Sequence, residues 1–129
     1  MRQTMLPKVS IITPYFQTGD KFFETIKSVE SLNFDNFEWI IIDDHSAKDT
    51  ATDVLATVYG ELPNNIIVIY LDKNIGPNGA RVIGINAAKG KYITLLDSDD
   101  IYYREKLNVQ IGFMDTYGHK ITHTDTVKF

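Results

Sequence analysis

The sequence contains no cysteine and no long apolar run. Without cysteine the chain has neither a disulfide framework nor a thiolate metal site, which fits a reducing compartment. None of its apolar segments approaches the roughly 20 residues that a membrane-spanning helix needs. We therefore expect a cytoplasmic protein, held at the inner face of the membrane if it associates with a membrane peripherally.

Basic charge is also scarce. The chain carries 13 Lys and Arg against 17 Asp and Glu, a formal net charge of -4, and the basic residues are scattered. A nucleic-acid-binding surface needs clustered cations, so neither DNA nor RNA is expected as a partner. The 129 residues are 43% hydrophobic and 23% charged, the composition of one globular domain. One such domain is small for a catalyst that must hold two substrates.

Apolar segments with strand and helix periods alternate along the chain. The predicted strands cover residues 9–13, 37–46, 66–71 and 91–96, with a further strand within 120–129. Four helices are predicted. The first begins with Asp20 as its N-cap, the second covers residues 48–59 and the fourth covers residues 103–117. The third has Ala80, Ile83 and Ala87 facing inward and stops at Gly90. This alternation predicts an α/β fold: a Rossmann-like, mostly parallel sheet flanked by helices, in one domain over residues 1–129.

Polar segments follow each of the first four predicted strands. They are residues 14–17, the pair Asp43-Asp44, residues 74–81 and residues 97–100. Because parallel strands end at the same edge of a sheet, these segments meet where ligands of doubly wound sheets bind. Carboxylates crowded together repel one another unless a cation compensates. The simplest compensation is a divalent cation.

The sequence "LDSDD" is the strongest candidate for holding that cation. Mg²⁺ and Mn²⁺ prefer hard oxygen ligands, and in an extended backbone Asp97 and Asp99 point to the same side. The alternative is that Asp99 or Asp100 only caps the helix expected near Tyr102. We expect Asp100 to have that capping role, which requires one acid rather than three.

Asp44 and Arg81 are the other candidate binding residues. Asp44 has the chemistry to accept a hydrogen bond from a base N–H or a ribose hydroxyl. For Asp43, an ordinary role in shaping the loop is as well supported as a role in binding. Arg81 lies in the first turns of a helix, where backbone N–H groups favour an anion and a guanidinium can bind a diphosphate. The alternative is a surface arginine paired with an aspartate. No role is assigned to the histidines: His45, His119 and His123.

Three segments in this order resemble one family. They are "VSIITPYF", "WIIIDDHSAKDT" and "NIGPNGARVIGINAAKGKYITLLDSDDIYYREKL", and the similarity covers roughly residues 8–107. The chain resembles the family 2 glycosyltransferases of the GT-A fold. The resemblance implies transfer of a sugar from a nucleotide-diphosphate donor, usually a UDP-sugar, to an acceptor hydroxyl with inversion, in the synthesis of cell-surface polysaccharides or other glycans.

The resemblance also implies roles for individual residues. It assigns metal binding to Asp97 and Asp99, with Asp99 the direct ligand of Mg²⁺ or Mn²⁺. It assigns the nucleotide-sugar to Thr13, Pro14, Phe16, Asp44, Arg81 and Asp97. Two positions depart from the usual pattern: Phe16-Gln17 replaces a Tyr-Asn pair, and Val82 replaces an asparagine after the arginine.

The resemblance leaves the acceptor side unassigned. The family places its general base, and usually its acceptor site, beyond the region present here, so we expect the base beyond Phe129 and a fold incomplete at its C-terminus. The expected acceptor is a glycan or a lipid-linked glycan. Two alternatives stay open, a noncatalytic nucleotide-binding module and a phosphoacceptor receiver domain.

Overall fold

A computed structural model describes residues 6–117, 121–122 and 127–128 of the chain, with side chains for residues 6–112. Its elements in chain order are β1 (Val9–Tyr15), α1 (Lys21–Glu30), β2 (Phe37–Asp43), α2 (Ala51–Tyr59), β3 (Ile66–Tyr70), α3 (Pro77–Ala87), β4 (Tyr92–Leu95), β5 (Asp100–Ile101), α4 (Lys106–Tyr117), β6 (Ile121–Thr122) and β7 (Val127–Lys128). The predicted alternation of strands and helices is confirmed. Within the described residues, no helix is long and apolar enough to cross a membrane.

Five parallel strands form the main sheet in the order β3-β2-β1-β4-β6, and β5 pairs with β7 in an antiparallel ribbon. After β1 the chain moves outward through β2 and β3, then returns across the sheet to place β4 on the other side of β1. Ligands of such sheets bind beyond the strand ends at this change of direction. The order differs from the 2-1-3-4-5 order of receiver domains, so the receiver alternative is wrong.

Hydrophobic residues cover both faces of the sheet. On one face, Phe22 of α1 and Leu55 of α2 are fully buried, and the Phe22 ring lies 5.6 Å from the Trp39 ring of β2. On the other face, Ala80 of α3 packs against β1 and β2. Full burial of a large apolar side chain is worth about 1.5–3 kcal/mol. The uninterrupted apolar run of β2 is explained because both of its faces are covered.

Strand β1 is longer than predicted. It continues through Pro14 to Tyr15, whereas the sequence predicted an end at residue 13. The pairing with β4 stops at Ile12, while the pairing with β2 continues to Tyr15 opposite Asp43. The missing N–H of a proline is tolerated at such a position, where one neighbouring strand has already ended.

Two helices begin later than predicted. Helix α2 begins at Ala51, and the side chain of Thr50 caps it by accepting from Asp53 N at 3.2 Å. Helix α4 begins at Lys106 rather than residue 103. Asp100 does not cap it, because Asp100 lies in β5. The expected cap of α1 is correct in position, although the side chain of Asp20 makes no capping hydrogen bond.

Helix α3 faces the sheet through Ala80 and the partly buried Ile83, as predicted, but the predicted position Ala87 is wrong. Ala87 is exposed, and the buried positions are Ala80 and Gly84. The helix ends before Ala88, so Gly90 is not its stop. The strand predicted within 120–129 corresponds in part to β6 and β7, and its other residues lie outside the described residues, as do His119 and His123.

We predict that Gly84→Ala destabilises the fold. A Cβ at Gly84 would lie 2.5 Å from Ile12 Cγ2 and 2.6 Å from Ile42 Cδ1, and both isoleucines are fully buried. Such overpacking costs about 1–3 kcal/mol. The free energy of unfolding in urea measures this loss.

Gly112→Ala is the matched control, because a Cβ there would meet nothing within 4 Å. In the exposed interior of α4 this change should stabilise by up to about 1 kcal/mol through helix propensity. Equal stability of Gly84→Ala and the unmodified chain would show that α3 does not lie this close to β1 and β2.

Candidate active site

A crevice of about 740 Å³ opens at the carboxyl ends of β1, β2 and β4. Four segments line it, and each follows a strand of the main sheet or begins the helix after it. The lining residues are Pro14, Tyr15, Phe16, Gln17, Thr18, Lys21, Asp44, Asn74, Gly76, Pro77, Arg81, Asp97, Ser98 and Asp99. The predicted meeting of these segments at one edge is confirmed.

The segment after β1 presents an aromatic face to the crevice. Phe16 is 49% exposed although it is a large apolar side chain. The next residue, Gln17, has a positive φ of 48°, a conformation that costs energy for any residue other than glycine. Its contacts offset this cost: Gln17 N donates to Ser46 Oγ at 2.9 Å, and Ala47 N donates to Gln17 Oε1 at 3.0 Å. Gln17 thereby ties the β1 loop to the β2 loop.

The two acids at the end of β2 are both buried, but their carboxylates hold different parts of the chain. Asp43 is fully buried, and its carboxylate accepts from Ser46 N at 2.9 Å and Ala51 N at 2.8 Å. These bonds shape the loop and the start of α2, so the ordinary loop role of Asp43 is the one observed. Asp44 lines the crevice.

The carboxylate of Asp44 holds the loop before α3. It accepts from Ile75 N at 2.7 Å and from Gly76 N at 2.8 Å, and its carbonyl accepts from Asn74 Nδ2 at 3.1 Å. A carboxylate oxygen has a second lone pair, so Asp44 still has acceptor capacity toward the crevice. Asp44 also fixes where α3 begins, and with it the position of Arg81.

Arg81 joins the first turns of α3 to residues 97–100, the segment after β4 that we call the acidic loop. Its Nη2 donates to Asp97 Oδ1 at 2.8 Å, and its Nη1 donates to Asn78 Oδ1 at 2.8 Å. The side chains of Arg81 and Asp97 are 26% and 31% exposed, so the pair is partly desolvated and still open to the crevice. The predicted alternative, an arginine paired with an aspartate, is thus observed inside the crevice itself.

Three acids that follow β4, two in the loop and the third at the first position of β5, lie close enough to share a cation. Carboxylate oxygens of Asp97, Asp99 and Asp100 lie within 4.8 Å of one another. An all-oxygen set at this spacing suits a hard divalent cation such as Mg²⁺ or Mn²⁺. Asp100 was expected to cap a helix, whereas the structure adds it to the predicted pair.

Thr13 is the predicted nucleotide-binding residue whose side chain is not brought to the crevice. It is fully buried, and its hydroxyl accepts from Trp39 Nε1 at 2.8 Å. Alternation along β1 explains this, because Thr13 shares the face of Ile11 and Tyr15 that packs against α1. The other predicted residues, Pro14, Phe16, Asp44, Arg81, Asp97 and Asp99, all line the crevice.

The sequence reasoning missed several lining residues, of which Lys21 carries a charge. Lys21 is the first residue of α1, and α1 begins directly after the β1 loop. The first turn of a helix that follows a strand must lie near that strand's carboxyl end. This topological signal was available for Lys21, and Thr18 directly follows the predicted segment 14–17, whereas Asn74 and Ser98 lie within the predicted segments 74–81 and 97–100 but were given no role of their own.

The sheet order and the acidic crevice define a GT-A fold. A crystal structure of S. aureus TarS in complex with UDP-GlcNAc is similar to this chain with a TM-score of 0.76 and 26% identity, covering 86% of this chain and 32% of that one. A model of "Glycosyl transferase family 2" matches residues 10–129. The chain therefore belongs to glycosyl transferase family 2.

Curated relatives agree with this assignment. The chain is 38% identical over 117 residues to an uncharacterized glycosyltransferase of Rickettsia conorii, covering 91% of this chain and 19% of that protein. It is 38% identical over 108 residues to WfaP of Escherichia coli, a UDP-Glc:alpha-D-GlcNAc-diphosphoundecaprenol beta-1,3-glucosyltransferase, covering 84% of this chain and 41% of WfaP. The chain thus spans about a fifth to two fifths of these relatives.

We predict that Asp44→Ala lowers the free energy of unfolding by about 1–3 kcal/mol, because two partly buried backbone N–H groups lose their acceptor. Asp44→Asn should have an intermediate effect, since one of its two oxygens is replaced by a donor. Urea unfolding measures both changes.

Asp72→Ala is the control, because it removes an exposed carboxylate that lies just before the same loop. It should change stability little. If Asp44→Ala were as stable as Asp72→Ala, the hydrogen bonds to Ile75 and Gly76 would not hold the loop in solution.

Proposed function

We propose that this chain is the donor-binding part of an inverting glycosyltransferase that transfers a sugar from a nucleotide-diphosphate donor, a UDP-sugar, to an acceptor hydroxyl. One observation carries the proposal: the Arg81–Asp97 pair and the acidic group lie in the same crevice as the exposed ring of Phe16. The crevice thus combines an aromatic ring, a guanidinium group and clustered carboxylates. A nucleotide-diphosphate could use the ring for its base and the guanidinium for its phosphates, and a divalent cation held by the carboxylates would bind the phosphates as well.

The nucleoside end of the donor is assigned to the β1 and β2 loops. The exposed face of Phe16 suits stacking with a base, which is worth about 1–3 kcal/mol by analogy with bases bound on aromatic platforms. Asp44 has the remaining acceptor capacity for a base N–H or a ribose hydroxyl. The choice of uridine rests on the resemblance and on two similar proteins: TarS was crystallised with UDP-GlcNAc, and the name of WfaP gives UDP-Glc as its donor.

The diphosphate is assigned to the start of α3 and to Arg81. Helix α3 has Gly76 as its N-cap and Pro77 at its first position, and the N-terminus of a helix favours an anion through its N–H groups and dipole. Arg81 has five N–H donors and directs two of its nitrogens to Asn78 and Asp97. Its remaining donors are available to phosphate oxygens.

Asp97 and Asp99, joined by Asp100, would hold Mg²⁺ or Mn²⁺. Their oxygens are of the type and spacing that fit such a cation. A bound divalent cation would offset negative charge on the leaving diphosphate. Arg81, which lies beside these acids, would offset negative charge on the same diphosphate, and its pairing with Asp97 orients that carboxylate in the crevice.

The acceptor and the general base are assigned to other parts of the enzyme. The chain spans 41% of WfaP, whose name gives a lipid-linked acceptor, and we extend the class of lipid-linked glycans to the present protein. Such an acceptor would place the enzyme at the inner face of the membrane. An inverting transfer needs a base beside the acceptor hydroxyl, which the residues assigned here do not supply.

Calorimetric titration with UDP, with and without Mn²⁺, tests the proposal. We predict that Mn²⁺ strengthens UDP binding, and that Asp99→Ala abolishes the effect of Mn²⁺ while metal-free binding persists. Equal affinity with and without Mn²⁺ in the unmodified chain would contradict the role of the acids.

We further predict that Arg81→Ala weakens UDP binding about 10- to 100-fold, the equivalent of a lost charge-assisted contact. Arg104→Ala is the matched control, because Arg104 is an exposed arginine that does not line the crevice. An Arg81→Ala protein that binds UDP as well as Arg104→Ala would remove Arg81 from the diphosphate site.

A further inference from the structure

The acidic loop is held from below by a buried hydroxyl of α1. Thr25 is fully buried, and its Oγ1 lies 2.9 Å from Ser98 O and 2.6 Å from Asp100 O. A threonine inside a helix usually bonds a carbonyl of its own helix. Thr25 instead contacts a segment more than 70 residues further along the chain, so its single hydroxyl proton is shared between two carbonyls of that segment.

A second residue of α1, Ser28, contacts the same segment two residues after Asp100, at Tyr102. Ser28 lies one turn after Thr25, accepts from Tyr102 N at 3.1 Å and donates to Thr25 O at 2.8 Å. The two hydroxyls therefore bind backbone groups of Ser98, Asp100 and Tyr102, which alternate along the segment. All three groups point toward α1: the carbonyls of Ser98 and Asp100 lie on the two sides of Asp99, and the N–H of Tyr102 follows β5.

The rest of the loop is also fixed from its buried side. Asp100 N donates to Asp97 O at 3.1 Å and closes a turn. The hydroxyl of Tyr102 contacts Leu95 O at 3.1 Å and Thr94 Oγ1 at 2.9 Å. Burial raises the pKa of Tyr102 well above its ordinary value, so this hydroxyl keeps its proton as a donor.

These contacts oppose a definite force. Carboxylates within 4.8 Å repel one another before a cation binds, and rotation of the loop backbone is one way in which they would separate. The bonds from Thr25 to Ser98 O and Asp100 O flank Asp99 on both sides. They resist that rotation and keep the Asp99 carboxylate at the crevice.

We infer that Thr25 is a positioning residue for the cation-binding loop, acting through the carbonyls of Ser98 and Asp100. The inference rests on the proposed function for the identity of the ligand, and on the hydrogen bonds alone for the loop geometry. Thr25 lies in the core and does not line the crevice. Its effect is to preorganise the acidic ligands before the cation arrives.

Three variants of the chain test this role. Thr25→Val removes the hydroxyl at nearly constant volume, and Thr25→Ser keeps it. Thr57→Val is the matched control, because Thr57 is exposed on α2 and its hydroxyl donates to Asp53 O within the same helix. Electron paramagnetic resonance of free Mn²⁺, in the presence of UDP, measures the affinity for the cation.

We expect Thr25→Val to weaken Mn²⁺ binding roughly 10- to 100-fold, the usual effect of removing a group that orients metal ligands. Thr25→Ser should lie closer to the unmodified chain than to Thr25→Val, and Thr57→Val should not change the affinity. Unchanged Mn²⁺ affinity in a folded Thr25→Val would overturn the inference.

If Thr25→Val does not fold, Ser28→Ala serves in its place, because it removes the adjacent contact to Tyr102 N. Ser28→Ala should also weaken Mn²⁺ binding. Unchanged affinity in this variant would count against the inference.

Amide hydrogen exchange without metal gives an independent reading. Thr25→Val should speed exchange at Asp100 and Tyr102, and Thr57→Val should not. If the unmodified chain bound no Mn²⁺, the proposed metal role would fail, while faster exchange at Asp100 in Thr25→Val would still support the positioning of the loop. Exchange rates at Asp100 and Tyr102 that are equal in Thr25→Val and Thr57→Val would overturn the inference that Thr25 positions the loop.

Discussion

The parallel pairing of β1 with both β2 and β4 is the constraint on which the site depends. The register places Tyr15 opposite Asp43 on one side, whereas the ladder to β4 ends with Ile12 opposite Leu95 on the other. Strand β1 therefore continues past the end of β4. The space left beyond β4 is the crevice, and the loops after all three strands open into it. A fold that separated β1 from either neighbour would disperse the same residues.

The acids gathered at this edge are accommodated in different ways. Asp43 and Asp44 accept from backbone N–H groups of neighbouring loops, so their charge organises the chain. Asp97 is paired with Arg81. Asp99 is partly exposed beside them in the loop that Thr25 supports. The acids therefore differ in role: Asp43 only organises the chain, Asp44 both holds the loop before α3 and lines the crevice, and Asp97 and Asp99 line the crevice from the loop after β4.

Much of this arrangement could be predicted from the sequence. Alternating apolar periods indicate the order of strands and helices, and parallel topology then brings Asp44, Arg81 and Asp97 to one edge. Boundaries were less predictable, because Pro14 is tolerated within β1 only where β4 has already ended. The burial of Thr13 follows from the alternation of side chains along β1. The sequence alone does not say which of the two alternating sets faces α1, and the contact of Thr13 with Trp39 shows it.

Other features depend on contacts between distant parts of the chain. Thr25 in isolation is an ordinary helical threonine, and its partners lie 73 and 75 residues away. Asp100 is a plausible helix cap by its position in the sequence, yet β5 and the contacts to α1 delay the helix to Lys106. No local pattern encodes such long-range hydrogen bonds. They emerge only when α1 packs under the acidic loop.

The central claim is that one crevice holds both the nucleotide and a divalent cation. Anomalous X-ray scattering at the manganese absorption edge, from crystals of this chain grown with UDP and Mn²⁺, tests it most directly. The account predicts a manganese peak beside the carboxylate of Asp99, with the nucleotide between Phe16 and Arg81. A manganese peak remote from the acidic loop, or UDP bound outside the crevice, would contradict it.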